Sequence, residues 1–265
     1  MTVADQPILY SLVASESQNH PAAAVIHFQN PRDVDFTNWP IKIGSTGRFT
    51  GRSLIFEGSP DISIDFSLAK KNSPERMPQF NSTNPDVLSR IELAESILQA
   101  MQSNRKTGLH YSILWDRNAA ETTFAGRIGA AARELSAALS ETRSSRGSRE
   151  GVGKAIGKLI GLGEGLTPSG DDFIVGYLAS MYCRGQAAKI LSAELLRATN
   201  AVSASFLILA ASGLFSKPLC ALAEAVGGSI DSDIGRSLEV LQGIGHSSGL
   251  DIAAGFLFGH RLVMK

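Results

Sequence analysis

At 265 residues, with 43% apolar and 19% charged side chains, the chain can bury one large core or two modest ones and has the make-up of an ordinary soluble enzyme. Lys plus Arg and Asp plus Glu both total 25, so no overall charge draws it to nucleic acid or to an anionic membrane; small molecules or protein partners are the expected ligands. Cys183 and Cys220 are the only cysteines, no run of 18 apolar residues occurs, and MTVADQPILY lacks a basic stretch followed by an apolar one, which excludes a disulfide framework, a cysteine metal cage and a membrane-spanning helix, and predicts a cytoplasmic protein.

The first part of the chain reads as strands. Ala22 to Phe28 and Arg52 to Phe56 are rich in branched and aromatic residues, and Ile62 to Leu68 alternates apolar with polar, as a strand with one buried face does. Gly58-Ser59-Pro60-Asp61 supplies a hairpin turn between the last two. Arg48 and Arg52 flank the glycines of GRFTG, either as a basic lip over a pocket or as solvated turn residues. Lys70 to Asn84, with Pro74 and Pro78, reads as a linker or a crossing loop. The predicted division is a β-rich domain over residues 1–83 packed on a mainly α-helical domain over residues 84–265, an α+β chain.

Helical periodicity starts after Asn84, a capping residue followed by Pro85, with Val87, Ile91, Ala94, Leu98 and Met101 on one face through to Ser103. Leu109 to Trp115 reads as an isolated strand, and Ile128, Ala132, Leu135 and Leu139 mark a second helix. Glu141 to Arg149 is a polar, basic loop, either solvated or able to close over an anion. Val152, Ile156, Leu159 and Ile160 make a short helix whose Lys154 and Lys158 lie one turn apart. Further helices are expected over Ala187 to Ser212, weakened at Thr199-Asn200, and over Pro218 to Val226, Ile234 to Gln242 and Gly249 to Val263.

The chain is organised around LIGLGEGLTPSGDDFIVGYL, Leu159 to Leu178, where one helix runs into a glycine-rich loop and another begins. Pro168 suits a first turn, and Ser169 with Asp172 three residues on has capping-box spacing. A helix start reached through glycines offers unpaired N–H groups and a positive dipole end to an anion, although Asp171 and Asp172 in the same turn repel one. The stretch has an echo. Ser169 to Leu178 aligns without gaps to Ser248 to Leu257, so that Ser169, Gly170, Asp172 and Gly176 correspond to Ser248, Gly249, Asp251 and Gly255. Two readings follow: two helices that start alike, or two equivalent starts converging on one pocket with Asp172 and Asp251 facing each other across it.

The five histidines are scattered and no HExxH spacing, nucleophile elbow or phosphate loop of the GxxxxGK[ST] type is present, so no metal ligand set is predicted. GLGEG follows a helix rather than a strand, which argues against a dinucleotide fold. His246, just before the second helix start, is either a surface residue or an acid or base near neutral pH. Thr199 and Ser203 lie four apart and would face one way.

GLGEGLTPSGDDFIVGYLA resembles the signature of a bacterial family long carried as a domain of unknown function, some of whose members are called carboxylases and one of which is the AllH subunit of oxamate carbamoyltransferase in anaerobic allantoin breakdown. The likeness runs on to GHSSGLDIAAGF and, more loosely, to TNAVSASFL, covering Leu159 to Phe258; Glu164 stands where the family loop has proline. What the resemblance implies is a β-rich first part, a helical second part, and a part in phosphorolytic carbamoyl transfer that depends on companion subunits. It further implies that Gly163, Gly165, Thr167, Ser169, Gly170, Ser248 and Gly249, with Thr199 and Ser203, would cradle a small anionic substrate or phosphate. Asp171, Asp172, Asp251 and His246 would be the catalytic candidates, with Asp172 and Asp251 orienting the substrate amide or holding a Mg²⁺. A homo-oligomer fits as well. SGDDFIVGYLA also looks like the catalytic turn of ribokinase-type kinases, which is a second expectation, and a non-catalytic ligand-sensing or scaffold subunit is a third.

Overall fold

Strand formers crowd the first third of the chain and helix formers the rest, and among the described residues of the computed structural model the strands lie before residue 66 and the helices after residue 84. The structure describes residues 11–13, 23–25, 41, 45–57, 63–69, 76–103, 108–143, 149–186, 190–228 and 233–263. The chain is α+β and divides into two units, Met1–Val25 with Pro74–Lys265, and Ile26–Ser73. In the first unit β1 (Ser11–Val13) and β2 (Ala23–Val25) pair in parallel, Leu12 opposite Ala24. The second unit holds an antiparallel sheet in the order β3 (Gly47–Phe49), β4 (Ser53–Phe56), β5 (Ser63–Asp65). Its alternation is the expected one, since Ile64 is shielded while Ser63 and Asp65 on either side are exposed. Arg48 and Arg52 are both exposed. The turn expected at Gly58 to Asp61 lies outside the described residues.

The helices belong to the larger unit. Asn84 caps α1 (Pro85–Ser103) as its side chain dictates: Oδ1 accepts from the Asp86 N–H at 2.9 Å, and Val87, Ile91, Ala94 and Leu98 form the buried stripe. The expected linker before it is not a linker over its second half. Met77 and Ser82 are buried, and the Phe80 N–H donates to the Cys183 carbonyl at 2.9 Å.

Leu109 to Trp115 is no strand either. Gln102 accepts from the Tyr111 N–H at 2.7 Å and donates to the Leu109 carbonyl at 2.6 Å, so one side chain does what a neighbouring strand would have done. Residues Tyr111–Leu114 then turn as a 3₁₀ helix, burying Tyr111, whose hydroxyl donates to Glu95 at 2.6 Å. Branched and aromatic content reported burial here, not extension.

There follow α2 (Phe124–Arg143), α3 (Arg149–Leu159), α4 (Ser169–Cys183), α5 (Ala193–Leu196), α6 (Ala201–Ala211), α7 (Lys217–Gly227), α8 (Ile234–Gln242) and α9 (Ser248–Arg261). The middle of the basic loop between α2 and α3, residues 144–148, lies outside the described residues. The weak point at Thr199-Asn200 is a true break, because Asn200 accepts from the N–H groups of Val202 and Ser203 and starts α6 afresh.

The centre of the unit is the pair α4 and α9, buried on nearly every face. A Cβ on Gly176 would stand 1.9 Å from the Ile252 carbonyl oxygen, and one on Gly255 would stand 1.9 Å from that of Phe173. Each glycine thus receives the backbone of the opposite helix, at positions that correspond in the internal repeat. Phe258 closes the crossing, with its ring 5.1 Å from Phe173 and 5.2 Å from Trp115. Among the described residues no helix is long and apolar enough to cross a membrane.

Candidate functional site

Both copies of the repeat begin their helix at the same place. Ser169 and Ser248 are each the first helical residue, with Pro168 and Ser247 at the caps and no side-chain cap bond in either. The capping box expected at Ser169 and Asp172 does not form. Pro168 holds the extended cap conformation instead, and its carbonyl accepts from the Asp171 and Asp172 N–H groups at 2.9 and 3.1 Å. The second amide of each helix is also taken by the loop that leads into it: Gly170 donates to the Leu162 carbonyl at 2.8 Å, and Gly249 to the Ile244 carbonyl at 3.1 Å. A side chain at Gly170 or Gly249 would strike the Leu159 or Leu241 carbonyl, at 2.0 and 1.7 Å. These two glycines seat the helix start on the preceding helix.

Asp171 and Asp172 are adjacent and buried, and their surroundings differ completely. Asp171 Oδ1 accepts from the Gly161 N–H at 2.8 Å; Oδ2 accepts from the Thr199 and Ser203 hydroxyls at 2.5 and 2.7 Å. The equal orientation of Thr199 and Ser203 is real, and it serves to hold this carboxylate. Asp171 thereby ties the loop entrance and the start of α6 to α4. Its counterpart in the second copy is Leu250, also buried, so this tie exists on one side of the repeat only.

Asp172 and Asp251 are the matched pair, and each is one residue before the carbonyl that packs on the opposite glycine, which puts them on either side of the crossing. Asp172 is 5% exposed and Asp251 1%. Between the two copies the Thr167 and Ser248 hydroxyls meet at 2.8 Å. Asp251 Oδ1 accepts from the Leu109 N–H at 2.9 Å, and each carboxylate keeps one buried oxygen without a hydrogen bond, Oδ2 of Asp172 and Oδ2 of Asp251. Burial pushes the Asp172 carboxyl well above the usual carboxylate range; the Ser248 and Thr167 hydroxyls pull it down, and the charges of Asp251 and Asp171 push it up further.

The rim of the site is the loop before α4. Gly163, at φ +133°, lies against the Ser169 N–H, where a Cβ would come within 2.6 Å, and Gly165 at φ +88° stands in open space. Glu164, Gly165 and Leu166 are exposed and Thr167 is half-buried. His246 is an exposed turn residue before α9. Neither lysine of α3 reaches the aspartates: Lys154 pairs with Glu150 at 2.7 Å and Lys158 with Glu134 at 2.6 Å, both on the surface. Among the described residues no group of three or more His, Cys, Asp or Glu gathers as a metal ligand set.

Gly108 and Leu109 form the wall that the linear pattern did not reveal. Gly108, at φ +88°, packs on Ser247, and its neighbour supplies the amide that holds Asp251. The glycine was visible in the sequence, but nothing local to residue 108 points to a contact with residue 251. A cavity of about 540 Å³ lies elsewhere, at the far ends of α4 and α9, lined by Phe80, Ser82, Cys183, Arg184 and Val263 among others. Beside it His260 is fully buried, with Nδ1 2.9 Å from the Ser82 hydroxyl, and burial and the Arg184 charge depress its pKa to about 3. It is an open surface hollow. Buried polar atoms without a hydrogen bond occur at both places, Oδ2 of Asp172 and of Asp251 at the crossing and Nε2 of His260 beside the hollow; the crossing is the place that unites the two copies of the repeat.

No solved structure matches the chain. A family model, described as oxamate carbamoyltransferase subunit AllH, matches residues 159–260, less than half of the chain but the part that holds both helix starts, Asp171, Asp172, Asp251, Thr199 and Ser203. Over that segment the chain is similar to the AllH family.

Proposed function

We propose that this protein is a subunit of a carbamoyltransferase-type enzyme, of the oxamate carbamoyltransferase kind, which binds a small carbamoyl compound with an anionic end where α4 and α9 begin. The observation that carries this reading is the convergence of the two repeated helix starts on Asp172 and Asp251 within the segment that matches the AllH model. In a phosphorolytic transfer, a phosphate oxygen attacks the carbamoyl carbon of oxalurate and the bond from that carbon to the oxamate nitrogen breaks. The proton of hydrogen phosphate passes to that nitrogen, and carbamoyl phosphate leaves. No protein nucleophile is required, so the chain's contribution is to bind, orient and exclude water. The anionic end would face the rim, at the backbone of Gly163 and Gly165 and the first helical amides at Ser169 and Ser248, with Thr167 between the two copies. The buried aspartates would face the uncharged end, since a second anion beside them is repelled. His246, exposed at the mouth, is a candidate to exchange protons with solvent. The word subunit in the family description supports companion chains that complete the active enzyme.

Thermal unfolding of the full chain with carbamoyl phosphate, with phosphate and with Mg-ATP tests this. Ligand at a hundred times its dissociation constant adds about 2.7 kcal/mol, several degrees for a chain of this size. A rise with carbamoyl phosphate or phosphate that is lost in Ser248→Ala and Asp251→Asn supports the reading. A rise with Mg-ATP alone would replace it with phosphotransfer.

A further inference from the structure

We propose that the hollow at the far ends of α4 and α9 is a second ligand site, and that it takes one carboxylate carried on a small organic body. Nothing in this rests on the reading of the helix starts, which lie at the opposite ends of the same two helices. The hollow holds about 540 Å³, and none of the described residues that line it is acidic. Several acceptors around it are already engaged. The Cys183 carbonyl accepts from the Phe80 N–H at 2.9 Å, the Met181 carbonyl from the Arg184 and Gln186 N–H groups, both at 3.0 Å, and the His260 carbonyl from the Val263 N–H at 3.2 Å. Asn81 Oδ1 is taken by the Thr83 N–H and hydroxyl, at 3.0 and 2.8 Å, so what Asn81 has left to offer is its NH₂.

The donors decide the ligand. Ser82, 3% exposed, lines the hollow, and its hydroxyl lies 2.9 Å from His260 Nδ1. His260 Nε2 is buried without a hydrogen bond. A proton there would leave a buried N–H with no acceptor, the costlier orphan, so the neutral ring carries its proton on Nδ1 and donates to the Ser82 oxygen. The Ser82 O–H is thereby left for a ligand. Arg184 supplies the charge. Its Nη1 donates to the Gly259 carbonyl at 2.9 Å and to the Ser180 hydroxyl at 3.2 Å, neutral acceptors that fix the guanidinium without cancelling its charge. That charge reaches His260 beside the hollow: after burial itself, it is what depresses the His260 pKa. A guanidinium, an O–H and an NH₂ in one lining match the two acceptor oxygens of a carboxylate. One cation suits one negative charge. Phe80 and Val263 add an apolar wall, and the volume is that of a small-molecule site rather than of a bare ion, so an organic acid fits better than inorganic phosphate.

Amide NMR spectra of the full chain test this, with benzoate as the probe and with benzamide, its uncharged counterpart, and phosphate as comparators. Benzoate should shift the amides of Phe80 to Thr83, Arg184 and Gly185 along a saturating curve, while those of Ser169 and Ser248 stay in place. Benzamide and phosphate should leave the amides of the hollow unmoved. Arg184→Gln should weaken benzoate at least tenfold, and Arg184→Lys should weaken it less. Because Arg184 also ends α4, a second variant guards against a loss of folding. Thr83→Asp adds a carboxylate at an exposed position of the lining and should abolish benzoate binding in a folded protein. Absence of any shift with benzoate overturns the site. An equal shift with benzamide overturns it as well, leaving only an apolar hollow, and so does benzoate binding to Thr83→Asp as tightly as to the wild type. Phosphate moving the same amides in place of benzoate overturns the carboxylate assignment in favour of an inorganic anion.

Discussion

At the scale of single residues, neighbours in the sequence have opposite tasks. Asp171 is the better anchored, with three donors on its carboxylate, whereas its neighbour Asp172 keeps a buried oxygen without a hydrogen bond. Asp171→Ala would strand the Gly161 amide and two hydroxyls, at a cost of about 3 kcal/mol. The expected fall in Tm is about 6–12 °C. Asp171→Asn should fall less, since Oδ1 can still accept from Gly161.

Two buried titratable groups act on stability with opposite signs. The folded-state pKa of Asp172 is raised, so the folded protein holds a proton that the unfolded chain releases above about 3.8; this contribution is present at low pH and fades as pH rises through the folded pKa. The folded-state pKa of His260 is depressed from 6.5 to about 3, so the unfolded chain gains a proton that the folded one refuses, and stability falls as pH drops from 6.5 toward 3. Above 3.8 and below 6.5 the two slopes oppose each other. Denaturation midpoints of single variants against pH should separate them. Asp172→Asn should gain on the wild type as pH rises, and His260→Gln should resist acid better than the wild type does.

At the scale of elements, the crossing of α4 and α9 sets the distance between the two aspartates. Gly176→Ala and Gly255→Ala each place a methyl against a backbone carbonyl that cannot move without moving its helix. Replacing glycine in a helix ordinarily stabilises by about 1 kcal/mol. Here that gain is outweighed by a strain of about 1–3 kcal/mol or more. Gly153 in α3 is the control, since a Cβ there would have nothing within 4 Å, and Gly153→Ala should raise the Tm while the other two lower it. Because the aspartates flank the same crossing, Gly176→Ala should also weaken ligand binding without touching a ligand contact.

At the scale of the whole molecule, every described core side chain lies between Met77 and Leu262, within the larger unit. A fragment of residues 76–263 should therefore keep a helical circular-dichroism spectrum and a single cooperative melting transition. A broad, non-cooperative melt would show that residues before Met77 complete that core. Much of this unit was legible in the sequence. Asn84 and Asn200 announce helix starts because an amide side chain beside a helix has one strong local task, and the periodic stripe of α1 is a property of adjacent turns. The paired helix starts were visible because the same short pattern occurs twice. Leu109 to Trp115 reads wrongly as a strand because the partner that satisfies its backbone is the side chain of Gln102, which leaves no periodic mark.

Local sequence is enough to make the chain α+β, to start α1 at Asn84 and α6 at Asn200, and to open two helices with Ser-Gly-x-Asp. Those properties follow from interactions within a few residues, so they can be read along the chain. What each buried carboxylate does is settled by packing alone. Asp171 meets Gly161, Thr199 and Ser203; Asp251 meets Leu109 through one oxygen; Asp172 and Asp251 each keep a second, buried oxygen without a hydrogen bond. Burial raises the cost of an unpaired charge, and the partner that relieves it comes from whichever distant backbone or hydroxyl the packing of α4 on α9 brings alongside.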